Sequence, residues 1–141
     1  MSAALRAGAV LLLALSLAAC GGGGGGNPEE DAIRDVVEQF FQAFEEGDSA
    51  LLASLFGEEC GDMTAAASSA IDEFEGLGDD IELDLDGVSV QNLTETTAEF
   101  LPQGTVKSGG EEAPLSDPGE EYTLVVKENG AWKIAECELF L

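Results

Sequence analysis

Ile81-Glu82-Leu83-Asp84-Leu85-Asp86-Gly87-Val88-Ser89-Val90 is the stretch at which the hydrophobic period of this chain changes. Ile81, Leu83 and Leu85 alternate with acids, the period of two that belongs to a strand with one buried face. Past Gly87 the apolar residues move from odd to even numbers, to Val88 and Val90. A one-residue shift turns the apolar set to the wrong face unless the strand carries an extra residue. A bulge at Asp86-Gly87 is therefore expected, bending the strand while both halves keep their apolar side on the core. The sheet built on this strand should be curved.

Upstream of that point the spacing is helical. Asn27-Pro28-Glu29-Glu30 has the form of a helix start, with Asn27 as N-cap, Pro28 at the first helical position and Glu30 placed for a capping box. Ile33, Val36, Val37, Phe40, Phe41 and Phe44 then recur on one face, and Gly47 closes the helix. Asp48 caps a shorter second helix with Leu51, Leu52, Leu55 and Phe56 as its stripe. A third helix is expected over Thr64 to Glu75, with Ala67, Ala70, Ile71 and Phe74 turned inward.

Downstream the signals are those of strands. A second strand is expected over Thr97 to Lys107, with Pro102 and Gly104 marking an edge or a further bulge. Ser108 to Gly119 is polar, contains Pro114 and Pro118, and reads as a loop. Tyr122 to Lys127 and Ala131 to Leu141 form a hairpin about Asn129-Gly130, a strong short-range hairpin signal. The fold class is thus α+β, three N-terminal helices packed on a curved four-stranded antiparallel sheet.

The chain has 141 residues, enough for one domain. It carries five basic and 29 acidic residues and no histidine, a net charge of −24. Such a field repels phosphate backbones and anionic headgroups, which disfavours nucleic acid as a partner and charge-driven membrane adsorption alike.

Arg6 supplies a positive n-region, Ala7 to Leu17 an apolar h-region, and Ala18-Ala19 the small residues of a cleavage site. The run is shorter than the roughly 20 residues a membrane-spanning helix requires. Leu17-Ala18-Ala19-Cys20 resembles the bacterial lipobox, whose cysteine takes a diacylglycerol thioether and further acyl chains such as palmitate. The resemblance implies a lipoprotein signal peptide over 1–19 and lipid on Cys20. It places the protein outside the cytoplasm, anchored to the outer face of the cell membrane. Residues 20–27 are then the lipidated cysteine and a Gly-rich tether with a reach of about 16 Å, and 28–141 is the folded domain. Asn92-Leu93-Thr94 matches a glycosylation acceptor, which a bacterial-type cell does not use.

With Cys20 consumed by lipid, Cys60 and Cys137 remain as an even pair in an oxidising compartment. A disulfide between them would join the helical layer to the last strand; two separate thiols or a redox pair are the alternatives.

Phe41-Gln42-Ala43-Phe44-Glu45-Glu46-Gly47-Asp48-Ser49-Ala50-Leu51-Leu52-Ala53-Ser54-Leu55-Phe56 resembles the opening of nuclear transport factor 2-like domains. Those domains begin with an aromatic amphipathic helix, turn at Gly-Asp and continue with a Leu-rich helix. Asn129, Gly130, Trp132, Lys133 and Ile134 match the hairpin with which they end. The resemblance, running from about Glu29 to Leu141, implies a cone of helices on a strongly bent sheet with a pocket between them. The family includes dehydratases, steroid isomerases, SnoaL-like polyketide cyclases and non-catalytic binding modules, so fold alone does not set function.

Catalytic members use a His/Asp pair, which a chain without histidine cannot form, or an Asp base with a Tyr donor. The second arrangement would need Tyr122 and one of Asp72, Asp84 or Glu99. Glu82-x-Asp84-x-Asp86-Gly87 imitates the start of an EF-hand loop, but Leu93 stands where the bidentate Glu belongs, so no metal site is expected. No cofactor is implied. Phe40, Phe44, Phe74, Phe100, Tyr122 and Trp132 are the candidates for lining a pocket, although such aromatics also serve as core. These residues lead to a non-catalytic module, held at the membrane by lipid on Cys20, that binds a small apolar ligand or a protein partner through the cone. An isomerase- or dehydratase-like enzyme and an accessory subunit of an envelope transport complex are the alternatives.

Overall fold

The computed structural model describes residues 26–78 and 80–138. The expected signal peptide over 1–19, Cys20 and the glycines up to position 25 lie outside the described residues, so the expected anchor does too.

Helix α1 spans Pro28–Glu46 and begins as its sequence directs. The Asn27 side chain accepts from the Glu29 N–H at 3.0 Å, and Pro28 occupies the first turn, where its missing N–H costs nothing. The helix ends at Gly47 in the left-handed region (φ 67°), and the Asp48 N–H closes back onto the Ala43 carbonyl at 2.8 Å. Ile33, Val36, Val37 and Ala43 are buried along its inner stripe. Asp48 caps α2 (Ser49–Ser54) through the Leu51 N–H at 2.9 Å. A 3-10 turn over Glu58–Cys60 follows, which periodicity does not announce. Helix α3 spans Thr64–Gly76, burying Ala67 and Ile71, with Ala70 and Phe74 half-buried.

The sheet comes after the helices. Strands β1 (Ile81–Gln91), β2 (Thr97–Ser108), β4 (Thr123–Glu128) and β5 (Ala131–Ile134) lie in the order β1-β2-β4-β5, every pair antiparallel. The register slips between Leu85 and Gly87, as the change of period requires. Ile81, Leu83 and Leu85 before it, and Val88 after it, are the more covered positions, while Glu82, Asp84 and Asp86 are exposed. Gly104 pairs with Leu85 at this point, where the backbone of β1 comes so close that a Cβ on Gly104 would lie 1.9 Å from the Asp84 carbonyl oxygen. The result is a curled antiparallel sheet compatible with a cone.

Two sequence expectations are corrected. Ser108 to Gly119 is not all loop. Gly109 and Gly110, with φ of 59° and 87°, make a two-residue turn that carries the chain back along β2 as a fifth strand, β3 (Glu111–Pro114). All four β3 residues are exposed, so no apolar alternation marks them. The last strand ends at Ile134 rather than running to Leu141, and Cys137 lies in a turn beyond it.

Helix α1 packs on β1 and β5, and α2 packs between α1 and α3. One continuous core joins them: Ile33, Val37, Leu52, Ile134 and Val125 have essentially no solvent exposure, and Phe100 and Trp132 close around them.

Candidate functional site

The hairpin of β4 and β5 reaches several separated parts of the chain. Trp132 is buried, and its indole N–H donates to the Glu29 carboxylate at 2.7 Å. Lys127 Nζ donates to both oxygens of that carboxylate, at 2.7 and 2.9 Å, and stands 5.7 Å from the centre of the Trp132 ring. The hydrogen bond from Lys127, with that from Trp132 second, holds the Glu29 carboxyl below the usual carboxylate range. Lys133 Nζ donates to the Ser54 carbonyl at 2.7 Å, where the end of α2 presents unpaired carbonyls. The Glu128 carboxylate accepts from the Glu58 N–H at the start of the 3-10 turn, 3.1 Å from each oxygen. Ile134 and the Leu55–Gly57 segment exchange two backbone bonds of 2.8 Å in a parallel bridge. Beyond it, Cys137 and Cys60 form a disulfide, so the even pair is bonded. The motif Asn129-Gly130-x-Trp132-Lys133-Ile134 is therefore a clamp on the helix ends.

A large open concavity lies at the other end of α1. It is a cleft of about 740 Å³ between the C-terminal ends of α1 and α3 and the first residues of β1. Phe44, Phe74, Ile81 and Leu83 supply its apolar lining, and Glu45, Glu46, Glu75, Glu82 and Asp84 its carboxylates, with Lys107 as the one cation among the lining residues. Phe40, Phe44 and Phe74 form an edge-to-face row, with ring centres 5.2 Å and 5.4 Å apart. Lys107 pairs with Glu82 in the β1–β2 register and lies 3.8 Å from Glu112. A smaller cavity of about 130 Å³ is lined by Phe40, Phe41, Phe100, Pro102 and Leu115 among others.

The six aromatic candidates are thus divided. Phe44 and Phe74 line the cleft, Phe40 and Phe100 the small cavity, and Trp132 and Tyr122 neither. Asp84 is on the cleft wall; Asp72 is exposed on α3; and Glu99 accepts from Gln91 and Asn92 side chains at 3.0 and 2.6 Å. Neither the cleft nor the small cavity brings Tyr122 together with any of these carboxylates. Glu82, Asp84 and Asp86 alternate along a strand instead of wrapping a loop, and among the described residues no group of three or more His, Cys, Asp or Glu converges as metal ligands. The contacts of Glu29, Glu128 and Lys133 are not announced by local pattern, because their partners lie about 70 to 100 positions away.

No family model matches the chain, and no curated protein matches it.

Proposed function

We propose that this protein is a lipid-anchored, extracytoplasmic and non-catalytic binding module of the nuclear transport factor 2-like type, which holds a protein partner at the cleft between α1, α3 and β1. The observation that carries this reading is the cleft itself, at about 740 Å³ and open, with an aromatic wall and a carboxylate rim. Binding sites commonly occupy roughly 300–1,000 Å³. The smaller cavity, at about 130 Å³, falls below the volume at which a carried apolar molecule is held. Helices followed by a curled antiparallel sheet, with Trp132 and Lys133 in the terminal hairpin, support the family assignment.

The position of the cleft suits a tethered module. Helix α1 has 19 residues and a length of about 28 Å. The Gly-rich tether joins at Asn27, so the cleft opens at the far end of the helix from the point of attachment. Two acyl chains contribute about 0.8 kcal/mol per buried CH2, which makes the attachment stable.

Two measurements test the reading. Cys20→Ser should move the exported protein from the membrane to the soluble fraction; retention on the membrane refutes the anchor. A photo-crosslinking residue in place of Glu75, on the cleft, should trap a protein adduct in intact cells, whereas one in place of the exposed loop residue Asp117 should not. Equal trapping at both, or none at Glu75, refutes the cleft as the binding site.

A further inference from the structure

Among the described residues β1 is bonded on one side only, to β2, and the sheet order puts it at an edge. The opposite edge is closed, because Leu55–Gly57 lies against Ile134 of β5. An edge strand turns the N–H and C=O groups of alternate residues away from its neighbour, which makes it a template for another strand. The regular part of this edge is Ile81–Leu85, ahead of the register slip, and Ile81 to Asp84 form a wall of the cleft. This open edge and the cleft are therefore one place.

We infer that β1 takes an added strand at this edge: an extended segment of a protein partner, with basic and apolar residues in alternation, pairs with Ile81–Leu85 and fills the cleft. The inference rests on the reading of the cleft as a partner site. Five residues of β1 span roughly 16 Å at about 3.3 Å per residue. Apolar side chains on the inner face of such a segment meet Leu83, Phe44 and Phe74, and basic ones on the outer face stand beside Glu82 and Asp84. The five carboxylates and single lysine of the cleft supply the complementary charge.

A second copy of this chain is a poor occupant. Pairing β1 with β1 sets the exposed Glu82, Asp84 and Asp86 of each copy against acids of the other, on molecules of net charge −24. Acids along an edge do guard against self-pairing. A guard alone, however, needs no cleft beside it walled by Phe44 and Phe74, whose rings meet edge-to-face at 5.4 Å. Main-chain bonds supply affinity and alternate side chains specificity in this mode of recognition.

The test uses the whole exported protein and four synthetic peptides of three kinds, followed by titration calorimetry. The first peptide alternates Val and Lys over eight residues. The second has the same sequence with alternate backbone amides N-methylated, prepared in both registers. The third has the same composition in two blocks. Binding of the first is expected, with at least a tenfold loss for the block peptide and for one methylated register. Glu82→Gln with Asp84→Lys, at two exposed positions, should cost at least tenfold while leaving the circular dichroism spectrum and melting point of the protein in place. No binding of the alternating peptide overturns the proposal. So does binding of both methylated registers, or of the block peptide, within twofold of the parent, since charge alone then suffices. A protein adduct at Glu75 together with that result would leave the partner reading standing and remove strand addition.

Discussion

Gly104→Ala is the substitution for which the structure gives the most definite cost. The new Cβ would sit 1.9 Å from the Asp84 carbonyl oxygen and 3.0 Å from both the Asp84 carbonyl carbon and the Asp86 nitrogen. All three are backbone atoms of the bulge, so no side chain can swing aside. The Gly104 φ of 153° also lies where L-residues rarely go. Overpacking costs about 1–3 kcal/mol and a strained backbone another 1–3 kcal/mol. Partial relaxation of the bulge brings the expected loss to about 3 kcal/mol. In a domain of this size that lowers the melting point by roughly 10–15 °C.

Two other glycines calibrate the number. Gly87, on the bulge itself, has only the Gln103 Oε1 atom near a new Cβ, at 3.8 Å, so Gly87→Ala should change stability by less than about 0.5 kcal/mol. Gly109 has φ of 59° and nothing within 4 Å of a new Cβ, so Gly109→Ala should cost about 1 kcal/mol from backbone conformation alone. Urea unfolding followed by circular dichroism, with unchanged slope, gives all three values. If Gly104→Ala falls within about 0.5 kcal/mol of the parent, the β1–β2 register described above is wrong. An order other than Gly104, then Gly109, then Gly87 refutes the argument from close approach.

Two further outcomes follow from the clamp. Cys60 and Cys137 are 77 positions apart, and a closed loop of that length corresponds to about 4.5 kcal/mol of chain entropy, with delivered values commonly about 2–5 kcal/mol. Cys60→Ser with Cys137→Ser should therefore lower the urea midpoint strongly, and a shift worth under about 1 kcal/mol would count against a loop-closing role. Because the folded state holds the Glu29 carboxyl below its ordinary value, its contribution is present above the unfolded pKa of about 4.3 and is lost as pH falls through the lower folded value. Glu29→Gln should thus be less stable than the parent at pH 7, and the two stability curves should converge below about pH 4; a gap independent of pH would show that the Lys127 and Trp132 bonds do not depend on the charge.

Much of the fold is legible because its signals are local. Asn27-Pro28, Gly47 and Asp48 set the helix ends, and each acts on backbone groups within about four positions. The odd-to-even shift at Gly87 places the bulge because one face must stay on the core. Asn129-Gly130 turns the hairpin with φ of 51° and 81°. Strand β3 escapes the same reasoning because both its faces are wet, leaving Gly109-Gly110 as the only available sign. Ile134 ends the last strand because pairing with β4 covers only Ala131–Ile134, and periodicity cannot tell where a neighbour runs out. Phe40 and Phe44 share one face of α1, yet Phe44 reaches the cleft and Phe40 the small cavity. Which end of a helix meets open space depends on what packs against it, and that is set by residues far away in the sequence.

The terminal hairpin carries a consequence for the order in which the molecule can assemble. The start of α1, the end of α2, the 3-10 turn and the thiol of Cys60 are all secured by residues between Lys127 and Cys137. Contacts of such long range form slowly, because loop closure comes before any gain from the contact. A chain that forms from its N-terminus therefore holds its helices unsecured until Lys127 to Cys137 arrive. The last two strands, rather than the helices they hold, therefore decide when the domain becomes rigid.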